Sequence, residues 1–544
     1  MAATSEVTEA RDGLFTRKST GLVRAVSPFS VLLFNSLTAP APFILAIALF
    51  WTLGAFPGAN LYVALGLGYG VGILFALAVG LISSALPRSG GDYVLVGRIL
   101  HPVVGLVSSF CFTMGVLLSV AFLALALVTS AIGPGLVVVG LVSSSSWLTD
   151  AGTTVQTSHS WQYALGMAGV LLAAIICASG WRWSLRFQNV GYAFMTFGLV
   201  LTAIVLLAKG GDSFIASFNS FAEPTTNDPD TYHSLIAEAN KQGVNLEPGS
   251  DFSNTWGALG AVMGFSVYTW FSAHIAGEVR QAGTWKVTAA MTGAAVLNCL
   301  SVIVMTAIFF HAFGTEFFTA ANALNGTDAY PFAAPPFYVF LTSIASGSPV
   351  IAVLLALSFF MTVMLVLWIN ILQPVRALFA YAFDGVLPLR VASVNARTRA
   401  PIIALAITVV IVAGLYAWAV WGASFFQVYA NAVIITVVAL LLLGVAAIAI
   451  PFRRPDLWRA SLTTRKVAGI PLTSLAGLVA VAVALVNGFL FLHYPGLGLT
   501  SRWEAVRNAG LVCVAAVVFY VVASTVRGRQ GVSLQRASSE IPPE

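Results

Sequence analysis

Read along its length, the chain is a succession of long apolar runs separated by polar stretches. A helix crossing a hydrocarbon core of about 30 Å needs roughly 20 apolar residues. Runs of this kind occupy residues 28–53, 61–85, 103–132, 161–180, 187–208 and 254–277. Six more lie at 287–313, 349–373, 401–419, 426–450, 469–491 and 505–526, which makes twelve predicted spans. Residues 1–27 are polar and lead directly into a full-length span, so the expectation is an internal insertion signal and no cleavable leader. The pattern predicts an all-α polytopic membrane protein.

Composition supports this reading. Of the 544 residues 58% are hydrophobic and 8% charged, whereas soluble domains carry roughly 25% charged residues. Charge position then orients the spans. With the N-terminus in the cytoplasm, all of the 26 Lys and Arg except Lys209, Lys241, Arg502 and Arg507 fall on the cytoplasmic side. A single missed span would reverse every later loop and destroy that bias. Both termini are therefore expected in the cytoplasm, and the net charge of +6 is a topology signal rather than a nucleic-acid patch. The outer loop 209–253 inverts the sign, with seven carboxylates against two lysines, and reads as a solvated acidic loop. A second outer loop, 314–348, is rich in aromatics and proline and has the composition of a lid.

The span interiors lack ionisable groups. All 20 acidic residues are expected in loops or at span ends, and no Lys or Arg falls near the middle of a predicted span. Intramembrane charges mark proton relays and catalytic sites, so this pattern disfavours a carboxylate-relay pump and an intramembrane hydrolase. No phosphate-binding glycine loop is present. No catalytic residue, cofactor or metal ligand is expected, and the four cysteines read as buried thiols. Five of the six histidines lie in loops or at span ends, and His274 lies farther inside its predicted span, toward the inner end, where packing competes with a gating or proton-linked role. The alternating Gly66, Gly68, Gly70 and Gly72 contain two overlapping small-residue pairs, a helix-packing surface in lipid.

Two spans are interrupted. The first carries Asn35-Ser36-Leu37-Thr38-Ala39-Pro40-Ala41-Pro42 at its middle. Each proline deletes a backbone donor and clashes with the preceding turn, and backbone freed at that depth must be buried in protein or line a cavity. The sixth places Gly257, Gly260 and Gly264 before Phe265-Ser266-Val267-Tyr268-Thr269-Trp270-Phe271. Paired interruptions in corresponding helices point to a transporter site at the midplane.

Three loop motifs resemble those of the amino acid-polyamine-organocation superfamily of permeases. They are Pro87-Arg88-Ser89-Gly90-Gly91-Asp92-Tyr93 after the second span, Ala276-Gly277-Glu278-Val279-Arg280 ending the sixth, and Phe383-Asp384-Gly385-Val386-Leu387-Pro388 after the eighth, this last run preceded by Arg376. The resemblance implies a five-plus-five inverted repeat with broken first and sixth helices, plus two extra C-terminal helices. The boundaries are then a cytoplasmic segment 1–27 and a transport core 28–450, divided into repeats 28–208 and 254–450 around the acidic loop. Two added helices at 451–526 and a cytoplasmic tail at 527–544 follow.

Carried over by position, Leu37, Thr38, Ala39, Pro40 and Ala41 would receive a substrate carboxylate. Ser266, Val267, Tyr268, Thr269 and Trp270 would receive its amino group and side chain. The chain departs from the family in having Pro and Ala in the first break and Tyr268 where glycine is usual in the sixth. Met195 stands about where some proton-linked relatives carry a lysine, and without that lysine the site could hold sodium through first-span carbonyls with Ser358 and Thr362, or no ion at all. Asp92, Arg376 and Asp384 are assigned to cytoplasmic loop structure or gating. The expectation is a multi-pass cytoplasmic-membrane transporter of amino acids or small amines, a symporter or exchanger coupled to H⁺ or Na⁺. The rival is a channel or sensor that kept the transporter fold.

Overall fold

The computed structural model describes residue 22, residues 24–530 and residues 533–534. Arg11, Arg17, Lys18 and Arg536, which contribute to the charge bias, lie outside the described residues. Eleven helices among the described residues are long and apolar enough to span a membrane. The twelfth predicted span, the sixth in order, is not a continuous helix. It runs as Phe252–Ser266, capped by Asp251 accepting from the Asn254 amide at 2.9 Å, and then dissolves into turns and two short 3-10 segments, Phe271–His274 and Ala276–Glu278.

The first span is broken as its prolines require. Helix Pro28–Ser36 starts with proline at its first position and a Ser27 cap accepting from the Ser30 amide at 3.1 Å. Residues 37–40 leave the helix, which resumes at Ala41 and passes through a π-helical turn, Ile44–Ala48, before ending at Ala55. Two predicted boundaries move. The third span extends over Pro102–Val142 through a second π-helical turn at Leu127–Ile132, so Gly133 and Pro134 do not end it. The eighth runs Pro349–Phe383, ten residues past its predicted limit, with Pro374 inside it.

The glycines of the second span divide by face. A Cβ on Gly68 would meet Val262 at 2.5 Å, and one on Gly72 would meet the Ser266 carbonyl at 2.6 Å, so this pair lets the second and sixth spans touch backbone to backbone. Gly66 and Gly70 face open space.

The outer loops are folded. Helices Asp212–Thr226 and Thr231–Lys241 from the acidic loop pack on helix Thr315–Leu324 from the second loop. Phe214 lies 4.9 Å from Phe313, Tyr232 stacks on Phe317 at 4.4 Å, and the Tyr232 hydroxyl donates to the Phe313 carbonyl at 2.9 Å. At the exposed start of the second loop helix, the His233 imidazole hydrogen-bonded to Asp230 holds that carboxyl below its ordinary range. Cys111 and Cys513, 402 positions apart, come together as free thiols with sulfurs 3.6 Å apart.

Candidate functional site

The two breaks are tied to each other by side chains. Asn35, buried at the end of the first half-helix, donates from Nδ2 to Ser272 Oγ at 2.9 Å and accepts from the Ser272 amide at 2.9 Å. One amide therefore satisfies two groups of the unwound sixth segment. The carbonyls freed by Pro40 find partners close by. Thr38 Oγ1 donates to the Asn35 carbonyl at 2.7 Å, and Asn298 of the seventh span donates to the Ser36 carbonyl at 2.9 Å. Ser36 Oγ returns a bond to Asn298 Oδ1 at 2.7 Å and meets the Tyr192 hydroxyl at 3.1 Å. Orphaned backbone at this depth costs several kcal/mol per group, and this polar cluster removes that cost without water.

Beside the breaks lies a cavity of about 90 Å³. At ~10–15 Å³ of such space per water, it holds several waters or the head group of a small ligand. Its walls come from five spans: Thr38 and Phe43 of the first, Phe112, Ser119 and Phe122 of the third, and Phe265, Tyr268 and Phe271 of the sixth. Asn370 of the eighth span and Tyr429 and Thr436 of the tenth complete it. A larger cavity, about 210 Å³, sits at the predicted outer end, among Leu53, Phe56, Asn60, Tyr62, Phe310 and Thr315. It lies at the ends of the spans and away from both breaks.

Of the substrate residues expected from sequence, the structure brings Thr38 and Tyr268 to the central cavity. Leu37, Ala39, Pro40, Ala41, Val267, Thr269 and Trp270 are buried or part-buried around it without lining it. Ser266 is turned away, donating to the Gly68 carbonyl at 2.8 Å in the contact with the second span. Ser358 Oγ lies 3.5 Å from the Met195 carbonyl, and Thr362 Oγ1 donates back to the Ser358 carbonyl at 2.9 Å within its own helix. Phe112, Ser119, Asn370, Tyr429 and Thr436 were not singled out from sequence. They sit in uninterrupted spans, where one polar or aromatic residue among apolar ones carries no local mark of facing a cavity.

The cavity wall has a distinctive hydrogen-bonding sense. The single hydroxyl protons of Thr38, Ser119 and Thr436 are committed to the Asn35, Gly115 and Val433 carbonyls at 2.7, 3.0 and 2.8 Å. The Tyr268 hydroxyl, 3.0 Å from Thr436 Oγ1, must then be the donor of that pair. These oxygens keep lone pairs to offer, and Asn370, whose Nδ2 donates to the Val366 carbonyl at 2.8 Å, keeps Oδ1. Toward a ligand the polar groups offer mainly acceptors, with the Tyr429 hydroxyl and the second Nδ2 proton of Asn370 as the donors, set among aromatic faces, and no charged side chain lines the cavity among the described residues.

Below the cavity the loop motifs condense into buried ion pairs. Asp92, Arg376 and Asp384, assigned from the sequence to cytoplasmic loop structure or gating, lie in or against helices and are at most 4% exposed. Asp92 opens the short buried helix Asp92–Ile99, Arg376 lies inside the eighth-span helix, and Asp384 caps that helix. Arg98 Nη2 meets Asp384 Oδ2 at 2.6 Å. Arg376 grips Glu278 with two nitrogens at 2.8 and 3.0 Å, and Trp181 Nε1 donates to the same carboxylate at 2.6 Å. The chain before the first span adds a bridge, with the Val26 amide on the Glu278 carbonyl at 3.0 Å and the Arg280 amide on the Val26 carbonyl at 2.8 Å. Acid and base thus occupy this end of the spans, and pairing permits their burial.

A model of the amino acid permease family matches residues 29–519, nearly the whole chain. The chain belongs to the amino acid permease family. Among curated proteins none matches it. The permease is accordingly a multi-pass membrane protein that transports amino acids or related amines. The motifs after its sixth and eighth spans supply Glu278, Arg376 and Asp384 to the buried ion pairs.

Proposed function

We propose that this permease is a secondary transporter of the cytoplasmic membrane that carries amino acids or small amines by alternating access, with the substrate's ammonium group in the central cavity. The observation that carries the reading is the acceptor character of the wall. A protonated amine brings only donors and a positive charge, and it meets the oxygens of Thr38, Ser119, Asn370 and Tyr268 among the aromatic faces of Phe112, Tyr268 and Tyr429. A carboxylate brings only acceptors and finds no cation there, so a carboxylate of the substrate belongs at the first-span break rather than in the cavity. In this reading residues 28–208 and 254–450 form two inverted halves that rock about the tied breaks, and the ion pairs around Glu278 and Asp384 close the cytoplasmic side.

The test is flux through purified protein in proteoliposomes, after a thermal-shift screen against amino acids and amines. Saturable uptake accelerated by unlabelled substrate inside the vesicle is the expected result. Flux that does not saturate would overturn the proposal in favour of a channel.

A further inference from the structure

His274 packs against two rings that line the cavity, Phe112 and Phe271, and both of its ring nitrogens face oxygen acceptors. Its Nδ1 lies 3.1 Å from the Phe271 carbonyl and its Nε2 lies 3.3 Å from Asp92 Oδ1. Both neighbours are acceptors. A neutral imidazole has one N–H and one lone pair, so either tautomer would set a lone pair against an oxygen inside a site where His274 is 1% exposed and Asp92 is fully buried. The arrangement is satisfied when the pair holds one proton more than a neutral histidine and a carboxylate, shared between Nε2 and Asp92 Oδ1. Ser108 Oγ donates to Asp92 Oδ2 at 2.9 Å, so Asp92 accepts at both oxygens when the shared proton sits on Nε2.

The other charged and titratable groups nearby do not supply a substitute. Arg98, on the same short helix as Asp92, is bound to Asp384, and Arg376 of the eighth span is bound to Glu278. Cys111 of the third span and Tyr381 of the eighth approach Asp92, and both are neutral in their ordinary protonation states near pH 7. The balance of the Asp92 charge therefore falls to His274.

The position of the pair connects it to transport. The imidazole stacks on Phe112, with centroids 5.3 Å apart and planes 8° apart, and packs on Phe271 at 5.6 Å. Both rings line the cavity. On the other side it presses against Gly91, where a Cβ would stand 2.3 Å from its ring, and the Gly90 amide donates to the His274 carbonyl at 3.0 Å. His274 thus joins the unwound sixth segment, one aromatic layer beneath the cavity, to the loop after the second span.

We propose that His274 and Asp92 form a proton-binding site that couples substrate movement to the proton gradient. The pair keeps one proton while the cytoplasmic side is closed. When that side opens and the pair parts, the Nε2–H bond breaks and the proton passes to cytoplasmic water. Asp92 then faces water as a carboxylate. The proposal rests on the transport reading above, and deepens it by naming the coupling ion and where it binds.

The test uses full-length permease in proteoliposomes with the potential clamped and a mixture of ¹⁴C-labelled standard amino acids as probe. Each protein's accumulation at an acid-outside gradient of one pH unit is divided by its own value at symmetric pH. One proton per substrate raises that ratio toward about tenfold in the wild type, and H274Q and D92N bring it to one. A wild-type ratio of one, or a ratio unchanged in either variant, would overturn the site. Absence of any exchange by the wild type at symmetric pH would instead overturn the transport reading. Independently of flux, ¹⁵N-histidine spectra of the wild type in nanodiscs should show one imidazole with both nitrogens proton-bearing at pH 7.5. Its absence counts against the proposal even if neither variant folds.

Discussion

At the scale of single residues, the site is organised by which atoms are already spoken for. Thr38 and Ser266 both carry a hydroxyl beside the two breaks, yet Thr38 faces the cavity and Ser266 holds the second span. Thr38→Phe should therefore weaken substrate binding by at least about tenfold, the ~1.4 kcal/mol scale of one lost polar contact before any blocking by the ring. Thr38→Ser, which keeps the bond to the Asn35 carbonyl, should remain within a few-fold of wild type. Isothermal titration with a substrate found by the thermal-shift screen measures both. Near-normal affinity in Thr38→Phe would mean the substrate binds elsewhere. The chemistry of the first break was legible in advance, because prolines at positions 40 and 42 remove donors in any fold. The direction of each hydroxyl was not, because rotamers answer to neighbours that sequence spacing does not reveal.

At the scale of elements, the ion pairs explain why the eighth-span helix outruns its apolar stretch. Hydropathy ends the span near Gln373, but Arg376 continues inward because Glu278 and the face of Trp181 meet it. Removing one partner of such a buried pair costs about 3–5 kcal/mol, since the other charge is left uncompensated, while replacing both with apolar groups is close to neutral. Arg376→Met should therefore lower the unfolding temperature clearly, and the double variant Arg376→Met with Glu278→Leu should recover most of the loss. Thermal denaturation of the detergent-solubilised permease followed by circular dichroism reads both. A double variant less stable than the single one would contradict this account of the pair.

At the scale of the whole molecule, the fold separates a paired, charged end from an end capped by the helices of the acidic loop. The charge bias of the sequence predicts the first in the cytoplasm and the second outside. Single cysteines at Ser234 in the acidic loop and at Ser461, between the tenth and eleventh spans, should therefore label from opposite sides of the membrane. A membrane-impermeant maleimide applied to intact cells should modify the first and spare the second. Labelling of both from one side would mean a miscounted crossing. The twelve predicted segments were legible because apolar length is a local property. The dissolved inner half of the sixth was partly so, through its glycines and aromatics.

The sequence by itself determined that the chain lives in a bilayer, where its crossings fall, that two of them are interrupted, and which permease motifs its loops carry. Each of these follows from the composition or backbone chemistry of a few neighbouring residues. Tertiary structure alone decided that Asn35 ties one break to the other, that Phe112, Asn370, Tyr429 and Thr436 complete the cavity, and that Asp92, Arg376 and Asp384 are buried with partners. These contacts join residues as much as 286 positions apart, as in Arg98 with Asp384. Their physical basis is the low dielectric of a packed interior, which forces every buried donor, acceptor and charge to find its complement wherever the fold supplies one.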